Sequence, residues 1–284
     1  MRARDIAQVG VALLVGAACA SGSSDASPSP SPRPRARPTA ASHPARASQP
    51  EPARRPTHAA PIEPTITIEL LPDGSTYLLH QFRFDLAHAE MSITDLGMTK
   101  PLRHALEDED ASLVFNGGFF SPTTAPEGLA FAGGTELSTL DRELGGGIVT
   151  VGTDHLGRLH DTAHYAQPSG TAFAIQCRPR LIVDGAPNIR SDDGRRADRT
   201  VLCLRDGGRT MDLIIARTDD LTGMGGPTLY ELSRLLRGRG CRNALNLDGG
   251  PSTGVAWRER GGIRSLSSRG PVRHGVAVRL ARAR

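Results

Sequence analysis

Between Cys19 and Pro61 the chain carries no bulky apolar residue. "SPSPSPRPRARPTAASHPARASQPEPARRPTHAAP" is built from little more than Pro, Ala, Ser and Arg. A segment of that composition cannot bury enough surface to offset the entropy of ordering it. Residues 20–61 therefore read as a disordered, partly extended tether. Any folded body must be made by residues 62–284, which are numerous enough for one sizeable core. The same segment accounts for the basic balance. Residues 1–61 hold eight arginines against three acidic residues, a balance of +5, and the whole chain is +4, so residues 62–284 sum to about −1. A near-neutral folded part gives no support to a nucleic-acid footprint.

Residues 1–19 have the layout of a secretory signal peptide: basic Arg2 and Arg4, a short apolar run from Val9 to Ala18, then small residues. "VGAAC" resembles a bacterial lipobox, with Gly16 where that pattern usually has leucine. Lipidation of Cys19 would make the chain a membrane-anchored lipoprotein of the cell envelope, cleavage without it a secreted one, and retention of the segment a protein with an N-terminal anchor. Three further cysteines in an exported protein imply one disulfide and one leftover thiol. Cys177 and Cys203 both lie mid-strand by pattern and are the expected pair, leaving Cys241.

The folded part reads as short strands separated by glycine-rich turns. "ITIELLPDGSTYLLHQFRFDL" is a hairpin about Asp73-Gly74. "KPLRHALEDED" has helical composition, and "PTLYELSRLLRGRG" places Leu229, Leu232, Leu235 and Leu236 on one helix face. The expected fold is α+β, a single domain at 62–284 with a large mixed β-sheet and a few covering helices.

Three segments share one design, an apolar strand ending in a polar or glycine-rich turn: "LVFNGGFFSPTTAPEGL", "RRADRTVLCL" and "ALNLDGGPSTG". Glycine pairs after strands allow close backbone approach to a ligand. Asn116 in such a place is an ordinary turn residue, Glu127 a loop carboxylate, and Arg199 a strand-end arginine that snorkels or pairs with an acid. Asp248 is harder to explain as a plain turn, since a nearly apolar strand leads into it and small residues follow it.

These segments, in this order, resemble those of the phosphodiester glycosidase family, and the match spans roughly Ser112 to Thr253. Two departures limit the likeness. Pro251 and Thr253 stand where the family often has a third glycine and a second serine, and Cys177-Arg178-Pro179 stands in place of a Gly-Pro. The resemblance implies hydrolysis of a sugar-1-phosphodiester, with a carbohydrate or sugar-phosphate substrate; no cofactor is expected, and with no CxxC pair or compact Cys/His cluster no metal is expected either. Asp248, with Glu127 second, would be the carboxylate near the anomeric carbon, and Arg199 a planar fork for the phosphate. The N–H groups of Gly117, Gly118, Gly249 and Gly250 would add oxyanion-type contacts. Asn116, Thr200, Asn246, Ser252 and Thr253 would line the substrate.

Three rivals stand beside this reading. Ser252 is a candidate nucleophile, although "GGPSTG" is not the G-x-S-x-G elbow. His155, His160 and His164 could in principle bind metal but lie in a turn-rich hairpin. A non-catalytic wall-polymer or glycan binder could use the same pocket, although one Trp in 284 residues is poor in the usual carbohydrate platform.

Overall fold

The central strands are written in largely apolar runs: Val201, Leu202, Cys203 and Leu204 on one, and Met211, Leu213, Ile214, Ile215 and Ala216 on its neighbour, interrupted by Asp212, all buried. Such runs need cover on both faces, and the structure supplies it. The structure is a computed structural model that describes residues 59–281. The signal peptide, the lipidation of Cys19 and all but the last residues of the tether lie outside the described residues. Ala59 is buried, the Ala60 N–H donates to the Leu280 carbonyl (3.0 Å), and the Ile62 N–H donates to that of Arg258 (2.8 Å).

In chain order the elements begin with β1 (Thr65–Leu70), β2 (Thr76–Asp85), β3 (Ala89–Asp95), α1 (Leu102–Asp108) and β4 (Leu113–Asn116). Next come β5 (Ala130–Ala132), β6 (Thr135–Ser138), β7 (Gly147–Gly152), β8 (Gly157–Asp161) and β9 (Thr171–Cys177). β10 (Arg180–Val183), β11 (Ala186–Pro187), β12 (Arg199–Arg205) and β13 (Thr210–Arg217) lead to α2 (Leu229–Gly238). β14 (Asn243–Asn246), β15 (Val255–Glu259), β16 (Gly262–Leu266) and β17 (His274–Leu280) follow.

The strands form three sheets, ordered β1-β2-β13-β12-β14-β10-β11, β16-β15-β4-β17-β3 and β6-β5-β9-β7-β8. The expected α+β single domain is what the chain forms. The sheet is not mixed, however: each ladder between these strands is antiparallel. With only two α-helices among the described residues, few connections are long enough to carry a parallel crossover.

One core joins the three sheets: Phe82, Phe115, Phe173, Ile175, Leu202, Leu213, Leu245, Leu247 and Trp257 belong to the same buried cluster. The other face of the seven-stranded sheet is covered by α2, whose Leu232 and Leu236 pack with Val201, Ile214 and Ala244. Thr228 starts α2 with a capping box, accepting from the Glu231 N–H while the Glu231 carboxylate accepts from its own N–H.

This two-faced sheet overturns the expected disulfide. Cys203 is bonded to Cys241, and Cys177 is a free, buried thiol. Cys203 and Cys241 both belong to the α2-side cluster, with their Cα atoms 5.8 Å apart. Cys177 ends a strand of a different sheet and packs into the central core. A pattern of strands does not say which face a cysteine takes, and the sheet itself separates Cys177 from Cys203.

Candidate active site

The end of β14 is where two sheets meet. The Leu247 N–H donates to the Thr200 carbonyl (2.8 Å), prolonging the β12–β14 ladder, and the Asp248 N–H donates to the Gly117 carbonyl beyond β4 (3.2 Å). The register Val201↔Asn246, extended two steps, sets Arg199 opposite Asp248. Beneath the turn lies Asn116, fully buried. Its Nδ2 donates to the Asp248 carbonyl (2.7 Å), and its Oδ1 accepts from the Thr200 hydroxyl (2.7 Å) and the Gly254 N–H (3.2 Å). Asn116 thus ties β4, β12 and the turn together.

The Asp248 carboxylate is half-buried, and its Oδ1 accepts from the Gly249 N–H at 2.9 Å. Burial raises its pKa to about 6, against the opposing pull of the Ser252 hydroxyl and the Gly249 N–H. A carboxylate poised there can exchange a proton near neutral pH, which an ordinary surface aspartate does poorly.

Other expected site residues fall into different roles. Asn116, Thr200 and Thr253 are fully buried, so they support the turn and do not line its surface. The four glycine N–H groups are not free donors either. Gly117 donates to the His274 carbonyl, Gly118 to His274 Nε2 (3.0 Å), Gly249 to Asp248 itself and Gly250 to the Asp198 carbonyl. Gly117 and Gly118 are small because a ring packs on them: a Cβ on Gly117 would stand 2.5 Å from His274 Cδ2.

Arg199 runs its stem past Gly249 and ends on two backbone carbonyls, Nε on Pro227 (3.1 Å) and Nη2 on Arg195 (2.7 Å). Burial lowers its pKa, with Asp193 and Asp198 acting against the shift. Glu127 is half-buried, its N–H on the Phe119 carbonyl, and its carboxylate makes no bond to another described residue. The Ser252 hydroxyl stands between the Asp248 carboxylate and the Pro271 carbonyl, 3.2 Å from the latter. Asn246 donates through Nδ2 to the Arg178 carbonyl (3.1 Å), while its buried Oδ1 has no partner among the described residues. His160 shares a hydrogen bond with Thr150 and packs edge-on against Tyr165. Among the described residues no group of His, Cys, Asp or Glu could hold a metal.

Three residues escaped the sequence reading. His274 is buried behind the Gly117-Gly118 pair, and burial holds its pKa down at about 4, so it is a neutral imidazole. With Nε2 accepting, the proton sits on Nδ1. Arg178 is exposed, and Asp248 and Arg178 both act electrostatically on Cys177, whose pKa burial raises far above its usual value. Asp198 is fully buried directly before Arg199. Only Arg178 left a trace in the sequence, as a charge where the family pattern has none. A cavity of about 540 Å³ lined by Met91, Phe173, Ala277 and Arg279 shares no residue with this turn. A smaller one of about 270 Å³, lined by Lys100, Arg103, Ser268 and Pro271, meets it through Pro271.

Residues 109–279 match the family model for phosphodiester glycosidases. Among solved structures, the catalytic domain of zebrafish N-acetylglucosamine-1-phosphodiester alpha-N-acetylglucosaminidase, auto-inhibited by its pro-peptide, superposes with a TM-score of 0.58. The two are 16% identical, over 81% of this chain and 85% of that one. A hypothetical protein from Synechocystis superposes with a TM-score of 0.54 at 15% identity, over 78% of this chain and 64% of that one. At such identities these likenesses show the fold alone. No curated protein sequence matches the chain.

Proposed function

Because the chain belongs to the phosphodiester glycosidase family, we propose that it hydrolyses a sugar-1-phosphodiester at the Asp248 turn. At the level of the family it is a hydrolase acting on sugar phosphodiesters. The observation that carries the finer reading is the half-buried Asp248 carboxylate, with a pKa near 6, fixed at the junction of two sheets. Above that pH the ionised carboxylate takes a proton from the attacking water or stabilises the oxocarbenium-like transition state. The leaving group is a phosphate monoester with a second pKa of about 6, so it departs without a strong general acid.

Cationic help comes from Arg178, which is exposed and held at the turn by its own carbonyl. Arg199 is mainly a brace, with two N–H groups committed to carbonyls. The layout of residues 1–19 supports an exported enzyme, lipid-anchored through Cys19 or secreted, acting on cell-surface or environmental glycans.

One observation favours the second reading, a wall-polymer or glycan binder. All four glycine N–H groups are used internally, which leaves no ready oxyanion cradle. Incubating the protein with a panel of sugar-1-phosphodiesters and wall teichoic-acid fragments separates the two. Catalysis predicts release of free sugar that is lost in Asp248→Asn. Saturable binding with no sugar released would leave the binder.

A further inference from the structure

Asp198 precedes Arg199, and its carboxylate lies in the interior with no exposed surface. A charge in that position requires partners, and the structure gives it several from two separate segments. Oδ1 accepts from the Thr218 N–H (3.0 Å) and hydroxyl (3.2 Å), at the start of the loop of residues 218–228. Oδ2 pairs with Arg269 and faces Arg217 Nε at 3.9 Å. Arg269 in turn donates through Nη2 to the Thr218 carbonyl (2.6 Å), closing a ring.

The backbone of Asp198 completes the junction. Its N–H donates to the Gly223 carbonyl (2.7 Å), and its carbonyl accepts from the Gly250 N–H (2.7 Å), two residues beyond Asp248. The N–H groups of Arg269 and Gly270 both donate to the Pro251 carbonyl at 2.8 Å. The segments touch backbone to backbone. A Cβ on Gly249 would meet the Asp198 carbonyl oxygen at 2.8 Å, and one on Gly223 would meet the Gly250 carbonyl carbon at 2.9 Å. The loop held this way is itself outward-facing: Leu221 is 86% and Met224 56% exposed, and Met224 Sδ lies 3.8 Å from a Cβ placed on Gly250.

We propose that Asp198 is a positioning residue, clamping the 218–228 loop and the Arg269 segment against the turn that carries Asp248. It touches no substrate. It fixes where the Asp248 carboxylate and the loop wall stand relative to each other. This rests on the reading of Asp248 as the reacting carboxylate, and the two can fail separately.

The test compares full-length wild type with Asp198→Asn, Arg269→Gln and the double variant. Amide hydrogen exchange is followed at Gly250 and across residues 218–228, and steady-state rates are measured on the methyl ester of N-acetylglucosamine-1-phosphate. Asp198→Asn is expected to speed exchange at those amides at least tenfold while β12 and β13 stay protected. The kcat should fall on the order of a hundredfold, as misplacing a reacting group by about an ångström does, with KM within a few-fold. The double variant should be no worse than the poorer single one, since both remove the same pair.

A general loss of stability would instead lower the fraction folded and leave kcat per folded molecule unchanged, which overturns the proposal. Unchanged exchange at Gly250 and the loop overturns it too. If wild type releases no sugar from this ester or from the wider panel, the assignment of Asp248 fails and the exchange data still decide the clamp. Should Asp198→Asn not fold, Arg269→Gln and Thr218→Val each leave the carboxylate a partner. Wild-type exchange in both would sink the idea.

Discussion

Asn116-Gly117-Gly118 and Asp248-Gly249-Gly250 look interchangeable in the sequence, each a polar residue and two glycines at the end of a short apolar strand. In the structure they do opposite things. The first is closed: Asn116 is fully buried with both side-chain atoms bonded, and His274 accepts from both glycine N–H groups. The second is partly open, with a carboxylate at the surface and its glycines packed on Asp198 and the 218–228 loop. The closed turn is a brace, and the open one is the turn at which we propose the chemistry occurs. The difference lies in the first residue: an amide can donate and accept inside a junction, whereas a carboxylate only accepts and resists burial.

The sharpest way to break this comparison is to neutralise the open turn. Asp248→Asn should lower the rate on a sugar phosphodiester by about 10²–10⁴-fold, the usual scale of general acid–base catalysis. The same change should stabilise the fold at pH 7. In the folded chain Asp248 keeps its proton up to about pH 6, whereas the ordinary value is 3.8. Between those values the unfolded chain binds fewer protons, so the stability owed to this group falls as pH rises from about 4 to about 6, then levels. The asparagine variant should therefore gain on the order of 1–3 kcal/mol at pH 7 and nothing near pH 3. Melting curves at the two pH values check this, and equal gains at both would contradict it.

Next in size is the staple under the open turn. Cys203–Cys241 closes a sequence separation of 38 residues and joins β12 to the segment entering β14. In the chain-entropy view a loop of that length is worth roughly 4 kcal/mol. Replacing both cysteines by alanine should lower the melting temperature and loosen Asp248 more than Asn116, because β4 has no such link. Exchange at Leu247 and Phe115 amides compares the two directly.

The smallest effects probe the closed turn. Gly117→Ala drives a methyl to 2.5 Å from the His274 ring and 3.0 Å from its carbonyl, whereas Gly118→Ala meets the Gln176 carbonyl at 3.2 Å. Overpacking at Gly117 should cost about 1–3 kcal/mol and Gly118 less. If chemical denaturation ranks them the other way, His274 is not what fixes this turn.

Much of the fold was legible because its signals are local. The Asp73-Gly74 hairpin, the apolar face of α2 and the break of β4 at Asn116 each depend on residues close in sequence. The place of Asp248, a carboxylate where an apolar strand ends, was legible for the same reason. His274 was not, because its partner Gly118 lies 156 residues away. Asp198 was not legible either, because residues 217, 218 and 269 converge on it only in the fold. The disulfide was misread because strand pattern carries no record of which sheet, or which face, a cysteine takes.

β4 reaches Asn116 and β17 starts at His274 at one end of their sheet. At the far end of β17, Leu280 accepts from Ala60. Seven residues of strand, roughly 20 Å, separate the two ends. The chain thus enters and leaves its folded body by the same door, away from the Asp248 turn. A segment fused at Ala60 or Ala281 would therefore leave from beside Leu280, at the opposite end of β17 from His274.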